Sequence, residues 1–148
     1  MNNYTGPILL VEDNEDDIFF MKRALRHVDI TDPVQVVRDG QQAIDYLAGN
    51  GDFKDRQQYP FPCLIFLDLK LPGKNGLEVL EWVRKESPVP SVVVLVLTTS
   101  RETSDIDAAY RLCANAYLVK PGGVEELQEM IKTVKLFWLG QNQFPLRT

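Results

Sequence analysis

The sequence predicts an α/β fold in which a five-stranded parallel sheet lies between two layers of helices. Five short apolar segments have the length and residue types of strands: residues 8–11, 34–37, 63–67, 92–97 and 116–119. They lack alternation of polar and apolar residues, which is typical of strands covered on both faces. Segments with helical periodicity lie between them, as in parallel sheets. Because crossover connections are right-handed, the usual five-stranded solution is flavodoxin-like, with strand order 2-1-3-4-5.

Each helix is predicted from apolar residues at helical spacing and from residues that favour helix ends. The predicted helices cover residues 15–28, a segment closed by Gly49, about 77–85, about 102–112, and a segment that begins near Val124. Asn14 is a favourable N-cap for the first of them. Since no linker or repeat divides the chain, residues 1–148 are expected to form one domain, with 141–148 as a C-terminal tail.

The composition excludes several classes of protein. The chain has 148 residues, 45% of them hydrophobic and 25% charged, as in ordinary soluble domains. Its longest apolar run is too short to span a bilayer and its first residues do not resemble a signal peptide, so we expect a cytoplasmic protein without membrane contact. With a formal net charge of −5 and no basic cluster, nucleic acid is not an expected partner. Cys63 and Cys113 lack the spacing of a zinc site, and we expect both to be reduced and buried.

Acidic, hydroxyl and basic residues follow the predicted strands. Glu12 and Asp13 follow the first strand, Asp68 the third, Thr98 the fourth and Lys120 the fifth. These strand ends meet at one edge of a parallel sheet. Three neighbouring carboxylates repel one another, and a hard divalent cation such as Mg²⁺ relieves that repulsion. Asp68 is then either a metal ligand or a nucleophile that accepts a phosphoryl group, whose oxygens Lys120 and Thr98 would hold.

Two other classes of protein that use similar folds fit less well. A haloacid-dehalogenase-type phosphatase needs a second aspartate two residues after its nucleophile, and Lys70 occupies that position. A flavin-binding protein needs a loop rich in Gly, Ser or Thr after the first strand. The acidic segment 12–16 stands there instead and would repel a phosphate group.

Four segments carry a resemblance to a known family: VEDNEDD (11–17), IFLDLKLPG (65–73), LTTS (97–100) and YLVKP (117–121). In this order they resemble the CheY-like receiver domain of two-component response regulators. The resemblance implies that Asp68 is the phosphoacceptor, that Asp13 binds Mg²⁺ directly and that Glu12 does so through water. It implies that Lys70 offers its backbone carbonyl to the metal. It further implies that Thr98 and Lys120 bind the phosphoryl group and that the rotamer of Tyr117 is coupled to Thr98. The Lys120–Pro121 peptide bond is expected to be cis.

Three further segments, residues 36–47, 49–62 and 137–145, are similar to those of small stand-alone regulators, some of which serve phytochrome-type histidine kinases. Too few residues follow position 140 for a DNA-binding output domain, so signalling through changed protein–protein contacts is expected. Such a protein catalyses only its own phosphorylation and dephosphorylation. The alternative is a degenerate receiver that binds partners independently of phosphorylation.

One departure from the family pattern concerns the end of the fourth helix, and a separate feature concerns the last helix and tail. Cys113 stands where the family commonly has the glycine that ends the fourth helix, which predicts a strained or differently built helix end. Apolar residues beyond one core stripe occur in the last helix and tail: Leu136, Phe137, Leu139, Phe144 and Leu146. They either fold the tail back onto the body or form an interface, and we expect a homodimer through the last helix and tail.

Overall fold

The computed structural model, which describes residues 6–145, shows the predicted α/β fold. The strands are β1 (Ile8–Val11), β2 (Val34–Val37), β3 (Leu64–Leu67), β4 (Val93–Thr98) and β5 (Ala116–Val119). The helices are α1 (Glu15–His27), α2 (Gly40–Ala48), α3 (Gly76–Lys85), α4 (Thr103–Arg111) and α5 (Val124–Val134). None of the helices within residues 6–145 has the length and apolar character needed to cross a membrane.

The strand order of the sheet is β2-β1-β3-β4-β5, and all neighbouring strands are parallel. This confirms the predicted topology. The register pairs Val11 with Leu67, so the residues that follow them, Glu12 and Asp68, are neighbours at the carboxyl edge. The topology therefore places acids from distant parts of the chain side by side.

Alternate residues of the strands face opposite sides of the sheet, and each side has its own buried cluster. On one side the strands pack against α2, α3 and α4, with Tyr46 and Leu80 fully buried. On the other side they pack against α1 and α5, with Leu25 and Ile131 buried. Every residue of β1, β3 and β4 is buried, which explains why these segments show no polar alternation.

The predicted ends of α1 and α2 are formed by the expected residues. The side-chain oxygen of Asn14 accepts a hydrogen bond from the backbone N–H of Asp17 at 2.9 Å, so Asn14 is the N-cap of α1. Gly49 ends α2 with a φ of 76°, a left-handed conformation that glycine adopts without steric cost. Both predictions are confirmed.

The end of α4 places a cysteine in the left-handed conformation, with a φ of 66° at Cys113. The N–H of Cys113 donates to the carbonyl of Tyr110, and the N–H of Ala114 donates to the carbonyl of Ala109. These two bonds form a Schellman motif, in which this position is usually glycine. The expectation that both cysteines are buried is wrong for Cys113, because the motif leaves this residue at the surface, whereas Cys63 is buried.

The substitution Cys113→Gly should increase the free energy of unfolding by about 1 kcal/mol, because the left-handed conformation costs a residue with a Cβ roughly 1–2 kcal/mol and glycine loses part of that gain as entropy. Urea unfolding under reducing conditions measures it. The control is Cys113→Ala, which keeps the Cβ and should not stabilise the protein. An equal gain in both variants would assign the effect to loss of the thiol instead.

The segment 49–62 folds against the end of α2. Arg56 donates to the carbonyls of Tyr46 and Leu47, both at 2.7 Å, and these carbonyls belong to the last turn of the helix. The guanidinium also lies 4.3 Å from the centre of the Phe61 ring, a cation–π distance. Arg56 thus ties the insertion to the end of α2.

The last helix continues beyond α5 as a π-helix, Lys135–Gln141. Two of the apolar residues considered for the interface, Leu139 and Phe144, pack against the core, as does Trp138. Leu136 and Phe137 remain exposed. Part of the tail therefore folds back onto the body, while two apolar side chains face solvent; Leu146 lies outside the described residues.

Candidate functional site

Three carboxylates meet at the carboxyl edge of the sheet. Glu12 and Asp13 follow β1, Asp68 follows β3, and one carboxylate oxygen from each lies within 4.8 Å of the others. Glu12 and Asp68 are buried, whereas Asp13 is exposed. Negative charges this close repel one another, and carboxylate oxygens are the donors that hard divalent cations prefer. The donor set of this acidic trio therefore fits Mg²⁺ or Mn²⁺.

Lys120, directly after β5, brings a positive charge into this acidic group. Its Nζ lies 2.5 Å from Glu12 Oε2, 2.9 Å from Asp17 Oδ2 and 2.9 Å from Asp68 Oδ2. Burial alone lowers the pKa of Lys120, but the hydrogen bonds to Glu12, Asp17 and Asp68 outweigh that effect and raise the pKa above its ordinary value. Lys120 is therefore a permanent cation in this site.

Glu12 is buried beside the positive charge of Lys120 and the negative charge of Asp68. Burial raises its pKa to about 7, although the hydrogen bonds from Lys120 and from the backbone N–H of Asn14 act in the opposite direction. The Asn14 N–H donates to Glu12 Oε1 at 3.0 Å. The negative charge of Asp68 raises the pKa of Glu12 further. Lys120 and Asp68 therefore shift the pKa of Glu12 in opposite directions.

The loop between β3 and α3 holds Asp68 in place. The backbone N–H of Lys70 donates to Asp68 Oδ1 at 3.1 Å, and the side chain of Lys70 is exposed. A Cβ added to Gly76 would lie 2.3 Å from the carbonyl oxygen of Asp68, so only glycine permits this approach of α3. The predicted contact between the Lys70 carbonyl and a metal stays a prediction.

Thr98, at the end of β4, is fully buried, and its hydroxyl oxygen has no hydrogen-bond partner among residues 6–145. Because buried hydroxyls are normally paired, an unpaired hydroxyl at the edge that carries the acidic trio suggests a place for a ligand oxygen. On β5, Tyr117 donates its hydroxyl to the carbonyl of Ser100 at 3.0 Å. Tyr117 is therefore tied to the loop that follows Thr98, and its predicted coupling to Thr98 stays a prediction.

The Lys120–Pro121 peptide bond is trans, so the expectation of a cis bond is wrong. The trans isomer is the more stable form of an X–Pro bond. In this arrangement the N–H of Lys120 donates to the carbonyl of Thr98 at 2.8 Å, which continues the pairing of β4 and β5 up to the site.

Comparison with known families identifies the class of this chain. The response regulator receiver domain matches residues 8–132, a range that contains the acidic trio, Thr98 and Lys120. The chain belongs to the response regulator receiver domain family. The fold and the resemblance predicted from the sequence are thereby confirmed.

Similar response regulators are known from Methanothrix harundinacea and Synechocystis sp.. The probable methanogenesis regulatory protein FilR2 of Methanothrix harundinacea is 36% identical over 141 residues, which cover 93% of this chain and 86% of FilR2. Response regulator Rcp1 of Synechocystis sp. is 36% identical over 132 residues, 89% of this chain and 88% of Rcp1. The similarity therefore extends over most of each relative.

Two crystal structures resemble this receiver closely. The phosphorylated cyanobacterial phytochrome response regulator RcpA has a TM-score of 0.88 and 35% identity, over 97% of this chain and 100% of RcpA. The Mn²⁺-bound form of Rcp1 has a TM-score of 0.85 and 35% identity, over 95% of this chain and 99% of that structure. Identity above 30% over nearly whole chains makes both informative for the site.

One residue of the receiver site was missed by the sequence analysis. Asp17 contacts Lys120, and its backbone is fixed by the N-cap Asn14. The sequence gives one indication of this residue: Asp17 stands three residues after the N-cap, in the helical turn that follows β1. Because Glu15 and Asp16 are also acidic and lie in the same turn, only the orientation of α1 distinguishes Asp17 from them.

Proposed function

We propose that Asp68 accepts a phosphoryl group from the phosphohistidine of a histidine kinase, and that the phosphorylated receiver signals by changing its protein contacts. One observation carries this proposal. The carboxylate of Asp68 lies within the acidic trio, and its Oδ2 is 2.9 Å from Lys120 Nζ. This proximity supports the proposal, because the carboxylate that would act as the nucleophile lies beside oxygen donors that suit a metal and beside a cation.

In the proposed step, an oxygen of Asp68 attacks phosphorus while the bond between phosphorus and the imidazole nitrogen of the kinase breaks. The imidazole leaves with the electron pair. Lys120 donates hydrogen bonds to the phosphoryl oxygens, and the unpaired hydroxyl of Thr98 is a further donor. Glu12, Asp13, Asp68 and the Lys70 carbonyl would hold Mg²⁺, which balances the charge of the phosphoryl group.

A phytochrome-type histidine kinase is the proposed partner, and the cytoplasm the proposed location. The support is the likeness to the phytochrome response regulator RcpA over nearly the whole of both chains. The formal net charge of −5 argues against a nucleic-acid partner. We propose that residues 1–148 act as one receiver domain, with 141–148 as its tail.

The test is the intact mass of the protein after incubation with acetyl phosphate and Mg²⁺. We expect an adduct of about 80 Da, the mass that a phosphoryl group adds to a carboxylate. The adduct should be absent from Asp68→Asn and should be strongly reduced in EDTA. Asp16→Asn, an exposed acid in α1, is the matched control and should retain it.

Different outcomes identify the competing function. An adduct that persists in Asp68→Asn, or that forms equally well in EDTA, contradicts the assignment of the site. A wild-type protein that gains no adduct and still binds its kinase with the same affinity as Asp68→Asn would be a degenerate receiver, which binds partners independently of phosphorylation.

We also propose a two-fold symmetric homodimer that forms through α5 and the residues after it. Leu136 and Phe137 are 61% and 51% exposed. A cleft of about 400 Å³ lies next to Phe137, between the edge strand β5 and the last helix, and its lining includes Leu118, Met130 and Trp138. An apolar surface of this kind beside an edge strand favours self-association.

Substitution of Phe137 by aspartate should shift the protein from dimer to monomer, because a charge would replace an apolar side chain at the centre of the interface. Light scattering after size exclusion at micromolar concentration measures the mass, with and without phosphorylation. Phe19→Asp is the matched control, since Phe19 is 56% exposed on α1, on a different element. A wild-type monomer under both conditions would contradict the proposal.

A further inference from the structure

The ammonium of Lys120 has three N–H donors, and three carboxylates are close enough to use all of them. Two of these carboxylates, those of Glu12 and Asp68, are buried, with side chains 3% and 8% exposed. The third, Asp17, is 40% exposed and lies in the first turn of α1. Lys120 thus connects the carboxyl edge of the sheet to a helix.

Asp17 differs from the other two carboxylates in what else it can bind. Glu12 and Asp68 belong to the acidic trio whose oxygens lie within 4.8 Å of one another, so both have a second use as metal ligands. Asp68 also has a third use as the proposed nucleophile. Asp17 is outside that trio, and the ammonium of Lys120 is its partner at 2.9 Å.

The backbone of α1 fixes the position of Asp17. Its N–H is bonded to the N-cap side chain of Asn14 at 2.9 Å. A carboxylate in the first turn of a helix is also stabilised by the helix dipole. The backbone that carries the Asp17 carboxylate is therefore held by a contact that involves neither the acidic trio nor Lys120.

We propose that Asp17 is a positioning residue. It keeps the Lys120 ammonium close to Asp68 while the carboxylates of Glu12 and Asp68 bind a metal or a phosphoryl group. The inference rests on the proposed phosphorylation of Asp68 and adds a residue to it. With a phosphoryl group on Asp68 and Glu12 turned toward a metal, two N–H donors of Lys120 would be free for other partners. The bond to Asp17 then anchors the third, which reduces the number of conformations that Lys120 must lose to contact the phosphoryl oxygens.

The first measurement needs no phosphodonor. In protein labelled with ¹⁵N at lysine Nζ, the Lys120 ammonium should give a resolved ¹H–¹⁵N signal, because its bonded protons exchange slowly with water. We expect Asp17→Asn to broaden or shift this signal and Asp16→Asn to leave it unchanged. Asp16 is the matched control, since it is exposed, carries the same charge and lies in the same turn. An unchanged signal in Asp17→Asn overturns the proposal.

The second measurement is the rate of phosphorylation by acetyl phosphate at saturating Mg²⁺. Removal of the charge of Asp17 should lower the maximal rate about three- to fivefold, the effect of a partly exposed ion pair. The half-saturating donor concentration should not change. Asp17→Glu should recover part of the rate, and Asp17→Asn should have no effect in a Lys120→Gln background. Equal rates in Asp17→Asn and Asp16→Asn would overturn the proposal.

These two measurements separate this inference from the proposed function. If the wild-type protein is not phosphorylated, the proposed function fails, and the ammonium signal still decides whether Asp17 holds Lys120. If the wild-type protein is phosphorylated and Asp17→Asn behaves like Asp16→Asn in either measurement, only the role of Asp17 fails.

Discussion

Replacement of Lys120 by methionine should nearly abolish phosphorylation of Asp68. The Nζ of Lys120 lies 2.9 Å from the Asp68 carboxylate, where it can stabilise the negative charge that develops on the phosphoryl oxygens. Removal of one such stabilising donor costs about a hundredfold in rate. Methionine retains much of the apolar stem of lysine, so the change chiefly removes the ammonium.

The same substitution should destabilise the metal-free protein by about 2 kcal/mol. Removal of one partner of a buried ion pair costs about 3–5 kcal/mol, and protonation of Glu12 offsets part of this because its pKa already stands at about 7. Addition of Mg²⁺ should shrink the difference from wild type, since a cation bound by Glu12, Asp13 and Asp68 neutralises the same carboxylates.

Urea unfolding in EDTA and in Mg²⁺, together with the phosphorylation rate from intact mass, checks both parts. Lys70→Met is the matched control, because Lys70 is exposed and its backbone contact with Asp68 does not involve the side chain. It should leave stability within about 0.5 kcal/mol of wild type, as surface substitutions usually do. A Lys120→Met variant that is phosphorylated at the rate of Lys70→Met would refute the role given to the ammonium.

The strands and the strand-end residues were predictable because their signals are local. A run such as Leu64 to Leu67 is apolar without alternation, and this pattern survives in the structure as a strand buried on both faces. Parallel topology then requires Glu12 and Asp68 to meet, whatever the details of the loops. The same reasoning covers Asn14 and Gly49, whose residue types act on their own helix ends.

The contacts that escaped prediction depend on how helices and loops are oriented. Asp17 reaches Lys120 only because α1 presents one side of its first turn to β5, and the sequence offers three acids in that turn. Arg56 reaches the end of α2 only after the insertion folds back. The π-helix at the end of the last helix contains Trp138, which packs against the core, and no local residue type in the sequence predicts it.

Arg84 makes further contacts that the sequence did not predict. It lies at the amino ends of β4 and β5, whereas the candidate site lies at the carboxyl ends of the strands. Its guanidinium donates to the backbone carbonyls of Pro90, Val92 and Cys113 and to the side chain of Asn115, at distances from 2.7 to 3.0 Å. The Asn115 side chain in turn accepts from the N–H of Val94 at 2.8 Å. One arginine at the end of α3 therefore connects the amino ends of β4 and β5.

Arg84→Met should lower the free energy of unfolding by about 3 kcal/mol, because hydrogen bonds to a charged group contribute about 1.5–3 kcal/mol each but the freed carbonyls regain water. Arg84→Lys should lose at least half as much, since an ammonium cannot reproduce the planar fork of a guanidinium. Arg111→Met, at an exposed position in the last turn of α4, is the matched control and should have little effect. Urea unfolding gives the free energies. The phosphorylation rate of Asp68, measured far below the unfolding midpoint, should stay close to wild type because the site lies at the carboxyl ends of the strands. If Arg84→Met and Arg111→Met lose the same stability, the network around Arg84 contributes nothing that an exposed arginine does not.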